Sequence, residues 1–253
     1  MRVRVAGVVA SFGSGRRVHP ELISPLGEGD YPAAAPASPQ LLFGGGLEGQ
    51  WVRLSGVVRQ VTTNLGYILF RTAVKGGELE GVISQSPDMV GDLIPDARVT
   101  VAGVIHSTEW DSGRPRQIRL FVPGWTHLTL QPPEDRDPFA APLRTIQSVL
   151  QLQLSPDSAP FNRVRIDGLI TASFRDGLLY VRDAHDPAGD IRVSTSPPLQ
   201  AEVGDRVEVA GFPQSRALVA ELGDAVVQVV GGGNALPVRE IIDLDPHSAG
   251  GER

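Results

Sequence analysis

The chain reads as all-β, and three observations carry that reading. Apolar residues recur with a period of two, glycine and proline are frequent (29 and 21 residues), and one strand motif returns five times. The motif is Val-x-aliphatic-x-Gly followed by two mostly apolar residues: VRVAGVV (3–9), VRLSGVV (52–58), VTVAGVI (99–105), VRIDGLI (164–170) and VEVAGFP (207–213). In VRLSGVV, Val52, Leu54, Gly56 and Val58 fall on one face, with Arg53, Ser55 and Val57 on the other. That alternation is the mark of a half-buried antiparallel strand. A mid-strand glycine suits a strand that coils sharply around a small barrel or carries a bulge.

Residues 50–131 read as one barrel. WVRLSGVVRQV opens it, GYILFRTAV (66–74) and LEGVISQ (79–85) form a hairpin, ARVTVAGVI is the fourth strand, and RQIRLFVP (116–123) with THLTLQP (126–132) finishes it. Residues 163–231 repeat the order. VRIDGLITASF leads through a DG turn (176–177) into LLYVRDA (178–184), then DIRVS (190–194), RVEVAGFP, and finally SRALVA with DAVVQVVG. Five short strands with a long, glycine-kinked first and fourth match a small OB-like Greek-key barrel. Gly56 to Gly103 spans 47 residues and Gly168 to Gly211 spans 43, as expected of repeats with loop variation.

Pro-rich joints punctuate the chain at 31–49, 132–162 and 232–253, and a short helix is expected around Leu143–Gln151. The first motif copy lies in residues 1–30 without a hairpin after it. Its order is that of a barrel's tail, so residues 1–30 are expected to be strands four and five of an incomplete barrel. Val3–Ala10 should form a hairpin with residues near Val18–Ser24, leaving a strand edge open to self-association. The expected architecture is therefore tandem OB-like Greek-key barrels joined by Pro-rich linkers, with this remnant at the N-terminus.

Composition narrows function by exclusion. The chain has 253 residues, no cysteine and a formal net charge of −6, so thiolate chemistry and Cys-based zinc sites are ruled out. No apolar stretch is long enough for a membrane span, and no secretory signal is visible at the start. No Walker loop, dinucleotide fingerprint, G-x-S-x-G elbow or H-E-x-x-H occurs; FGSGRR (12–17), FGGGLEG (43–49) and VGGGN (230–234) read as turns. Catalytic residues, metal ligands and cofactors are accordingly not assigned. Asp183-Ala-His185-Asp186 offers two carboxylates and an imidazole, although its turn-forming residues argue for a simple bend.

GDRVEVAGFP (204–213), ELGDAVVQ (221–228), GLLYVRDAHDPAGDIRVST (177–195) and the joint PLRTIQSVL…FNRVRIDGLIT (142–171) resemble an OB-like repeat of bacterial extracytoplasmic sensor proteins. These are membrane sensor histidine kinases and related receptors. The resemblance covers most of residues 50–240. It implies a non-enzymatic sensor or scaffold module in the periplasm, binding a small ligand or protein partner and transmitting the event through stiff joints. It carries no functional residues across, and no kinase segment is present in this sequence.

Two other readings compete: a single-stranded nucleic-acid binder, and an accessory domain of a hydrolase. Nucleic acid wants aromatic platforms in a basic groove. Tyr67 and Tyr180 fall in the relevant hairpins, and Tyr67 and Phe70 must lie on opposite faces. Charge argues against it: residues 50–131 hold eight Lys/Arg against seven Asp/Glu, and 163–230 seven against ten. The remaining candidate contacts are Trp110, Arg114 and Arg116, read as part of a long loop with His106 and Glu109, together with His185.

Overall fold

The computed structural model describes residues 2–12, 15–84, 93–111, 114–152, 162–183, 189–195, 201–216 and 219–232. Two compact units emerge, one built around Met1–Arg136 and one around Asp137–Leu154 with Arg163–Arg253.

The second unit is the simpler. Its strands are β10 (Val164–Ser173), β11 (Leu178–Asp183), β12 (Asp190–Thr195), β13 (Arg206–Arg216) and β14 (Val219–Gly231). They close in the order β10-β11-β12-β14-β13, with β12 and β14 parallel and the other pairs antiparallel. Alternation sends Ile166, Ile170, Val181, Ile191, Val193, Val207 and Val209 inward, each fully buried. The sequence places SRALVA and DAVVQVVG together as the closing stretch after a long fourth strand. In the structure β13 and β14 form one long hairpin, continuing from Gln214↔Glu221 to Arg216↔Val219.

Gly168 shows why the motif needs its glycine. A Cβ there would collide with the backbone carbonyl of Arg182 on the neighbouring β11. Gly56 has the same relation to the carbonyl of Ala73 in the first unit. Crowding between neighbouring strands in a narrow barrel thus leaves no room for a side chain at this position.

In the first unit, β4 (Trp51–Asn64), β5 (Tyr67–Val74), β6 (Gly77–Ser84), β7 (Arg98–Asp111) and β8 (Arg114–Phe121) follow β4-β5-β6-β8-β7, and β7 pairs back onto β4 to close the barrel. Phe70, Ile68, Ile83, Val101, Ile105 and Leu120 fill it. A short β9 (Leu128–Gln131) takes the edge of β7 that β8 leaves free. The segment expected as a loop around His106–Arg116 is instead a β-hairpin: β7 continues through Trp110, which pairs with Pro115. Its polar, charged sequence hid it, because such residues show no apolar alternation.

The Pro-rich joints also differ from plain linkers. Before the first barrel, β3 (Ala35–Pro36) runs parallel to β4 at Val52 and Arg53, and α1 (Pro39–Phe43) puts Leu42 into the barrel core. Before the second, Leu143 bridges in parallel to Arg165, and α2 (Ile146–Leu152) buries Ile146 and Val149 in the core. Each joint therefore supplies a short parallel strand contact and a helical plug for the barrel that follows it.

The N-terminal segment forms β1 (Arg2–Phe12) and β2 (Gly15–Gly27), a two-stranded antiparallel sheet. Val9 pairs with Val18 and Arg4 with Ser24, the hairpin that the sequence predicts. Like β13 and β14, the pair has a register shift at its glycine, between Ala6 and Gly7.

Candidate functional site

Barrels of this kind present ligands with the outer face of strands two and three and with the tips of the strand one–two and four–five hairpins. In the second unit that face is built from β11 and β12. Leu179 and Val181 point inward, so Leu178, Tyr180 and Arg182 point outward. Tyr180 stands directly opposite Arg192 of β12. Phe174, at the tip between β10 and β11, is 51% exposed and meets the Tyr180 ring edge-on at 6.3 Å. Gly177 (φ 82°) makes the turn that folds this tip back, and the Phe174 N–H donates to Leu178 O at 2.9 Å.

The guanidinium groups beside these rings already have acidic partners. Arg182 donates to both carboxylate oxygens of Asp190, at 2.8 and 3.1 Å. The hydrogen bond to Asp190 holds the Arg182 pKa above its ordinary value against the opposing effect of burial. Arg192 lies 3.1 Å from Glu221, a fully buried carboxylate that also accepts from Ser194 and Gln214 at 2.8 Å each. The patch is therefore aromatic and nearly neutral, with its cations held in fixed directions.

The first unit repeats the arrangement with different residues. Gly66 (φ 80°) takes the place of Gly177, Leu69 that of Tyr180 and Arg71 that of Arg182. Leu65 at the tip is 91% exposed and Tyr67 is 50% exposed, whereas Phe70 is fully buried. Tyr67 and Phe70 thus divide between the two faces as their odd spacing requires. Trp110, Arg114 and Arg116 belong to the strand four–five hairpin of the same barrel by their backbone pairing; their side chains lie outside the described residues. His185 and Asp186 also lie outside them. The structure brings Tyr180 and Phe174 together, and it places Tyr67 on the other barrel.

Asp183 has a structural task. It is buried, and its Oδ2 accepts the backbone N–H of Ile146 at 3.0 Å, tying the second strand to the start of the plug helix. Among the described residues no group of His, Asp or Glu side chains is placed to hold a metal ion. No helix among them is long and apolar enough to cross a membrane.

Two clusters escaped sequence reasoning. Tyr31 stacks on Trp51 at 5.1 Å, His127 meets both rings edge-on at 4.5 and 5.3 Å, and Trp51 Nε1 donates to Pro32 O at 2.9 Å. These aromatics clasp the first joint to its barrel. Glu48 receives the Ser107 N–H at 2.6 Å and lies 3.0 Å from His106 Nδ1. Partial burial of Glu48 works to raise its pKa, but the hydrogen bonds from His106 and Ser107 outweigh it and hold the carboxyl below its ordinary value. Both clusters join residues distant in sequence, and no local pattern announces them.

Two closed five-stranded barrels of this topology among the described residues give the chain a tandem OB-type barrel fold. No family model matches the chain, and no curated protein does. Among solved structures it is similar to asparaginyl-tRNA synthetase from Pyrococcus horikoshii, at 19% identity and TM-score 0.29, over 37% of this chain and 22% of that one. It is also similar to a murine DNA binding protein bound with ds DNA, at 12% identity and TM-score 0.30, over 71% of this chain and 99% of that one. The p204 HINb domain matches at 11% identity and TM-score 0.28, over 72% of this chain and 98% of that one. The chain thus spans less than a quarter of the synthetase.

Proposed function

We propose that the chain is a non-enzymatic binding module that takes single-stranded nucleic acid across the outer face of its barrels. One observation carries the reading: the exposed Phe174 against the half-buried, outward-facing Tyr180, with Arg192 opposite, stands where OB-type barrels hold oligonucleotides. Leu65 and Tyr67 offer a second, smaller platform at the corresponding tip. Bases would stack on the ring faces, and this is sequence-tolerant because every base has a π-face. The arginines are engaged by Asp190 and Glu221, so few phosphates would be neutralised. Binding should be modest and should depend only shallowly on salt.

Fluorescence anisotropy with a labelled oligo-dT, started at low salt and then titrated, tests this. Tyr180→Ala and Phe174→Ala should each weaken binding by roughly tenfold, in line with about 1–3 kcal/mol per stacked base. An oligonucleotide that does not bind the intact chain even at low salt removes the reading.

A second reading is favoured by the acidic excess of residues 163–230 and by the pairing of the patch arginines. In it, the same aromatic patch receives an apolar side chain of a protein partner. Loss of a protein partner on Phe174→Ala, without any oligonucleotide binding, would select it.

A further inference from the structure

In both barrels the closing contact is made between two copies of the same motif. VRLSGVV pairs antiparallel with VTVAGVI as Val52↔Gly103, Leu54↔Val101 and Gly56↔Val99. VRIDGLI pairs with VEVAGFP as Val164↔Gly211, Ile166↔Val209 and Gly168↔Val207. Position one meets position five, three meets three, and five meets one. The register has a local two-fold centred on the third residue, so the motif is complementary to itself.

β1 carries a further copy, VRVAGVV, and among the described residues its outer edge has no partner strand. The matching edges of β4 and β10 are already taken by β7 and β13. We infer that β1 pairs antiparallel with β1 of a second copy of this chain, Val5 opposite Val5, giving a four-stranded sheet across a two-fold axis.

The residue pairs of that register already occur inside the barrels. Arg at position two faces Ala at position four in Arg53↔Ala102 and in Arg165↔Ala210. β1 holds both halves, so Arg4 of each copy faces Ala6 of the other. An Arg just before the motif faces an aliphatic residue just after the glycine in Val57↔Arg98 and Leu169↔Arg206; Arg2 and Val8 reproduce this. No arginine faces another arginine directly, and like charges directly opposite are what such a pairing must avoid.

Edge protection points the same way. An open strand edge is usually blunted by proline, charge or a cover. β2 carries Pro20 and Pro25, whereas β1 has no proline over Arg2–Phe12. Val3 and Val5 are 43% and 46% exposed, while their counterparts Val207 and Val209 in the closed barrel are fully buried. Gly7 retains the crowding of the barrel copies, since a Cβ would strike the carbonyl of His19. β1 is therefore shaped for a barrel-type partner on its free edge, and a second β1 supplies one in the same register.

The cysteine-free chain permits a clean test. Val5→Cys places two thiols directly opposite each other across the axis, and mild oxidation should yield a covalent dimer. Val8→Cys puts its thiols about 20 Å apart at ~3.4 Å per residue, and Ile23→Cys lies on the other strand; both should cross-link at least tenfold more slowly. Sedimentation equilibrium of the unmodified chain should show reversible dimers, and Val5→Arg, which sets arginine against arginine, should shift it to monomer. A monomer at all concentrations overturns the inference. So does equal cross-linking of the three cysteine variants, or a dimer indifferent to Val5→Arg.

Discussion

The guanidinium of Arg163 lies 4.3 Å from the ring centre of Phe212, and its Nη1 donates to the carbonyls of Ala210 and Asp224 at 2.9 and 3.1 Å. One side chain thus ties the entry of the second barrel to its fourth strand and to the turn-like residue Asp224 (φ 47°) on its fifth. Arg163→Met should cost about 2–3 kcal/mol, because two carbonyls lose a charged donor and the ring loses its cation. Urea unfolding followed unit by unit should show the loss in the second unit alone.

Glu221 is fully buried yet holds Arg192, Ser194 and Gln214 together across β12, β13 and β14. Glu221→Ala strands a partly buried arginine and should destabilise the second barrel by about 3–5 kcal/mol. Glu221→Gln keeps an acceptor for the neutral partners, and thermal unfolding should place it between the alanine variant and the parent.

Gly168→Ala presses a methyl group into the carbonyl of Arg182, which belongs to a strand that cannot withdraw without opening the barrel. A loss of about 2 kcal/mol or more is expected. Alanine at Gly124, which meets nothing within 4 Å, serves as the control and should leave the denaturation midpoint nearly unchanged.

Acid should weaken the first unit through Glu48. Its folded pKa lies below its unfolded value, so its contribution is present above the unfolded pKa and disappears as pH falls through the folded one. Stability measured across the acid range should therefore fall less steeply in Glu48→Gln than in the parent. Equal slopes would mean that the contacts with Ser107 and His106 carry no net stabilisation.

Both barrels were legible in the sequence because alternation has a physical cause: residues such as Ile166 and Val209 must point inward, and a glycine such as Gly168 must make room for the neighbouring strand. The N-terminal hairpin was legible because VRVAGVV matches the fourth strands that pair with a following fifth. α1 was not, since PQLLF is too short to show a period and its one buried residue, Leu42, gives no pattern. Arg163 was hidden by its residue type, which is usually exposed. Of the candidate site, Tyr180 and Tyr67 could be placed by strand position alone. Phe174 was missed because a turn residue has no face until the hairpin closes and brings it against Tyr180.

The plugging of each barrel by the joint before it bears on where such a module can be cut and transplanted. A graft beginning at Trp51 or Val164 would carry every barrel strand but leave its base uncorked, without Leu42 or without Ile146 and Val149. The portable cassette starts upstream, at Ala35 and at Pro142, whose carbonyl accepts from Arg165, so the natural seam between repeats lies inside each Pro-rich joint rather than at the first barrel strand.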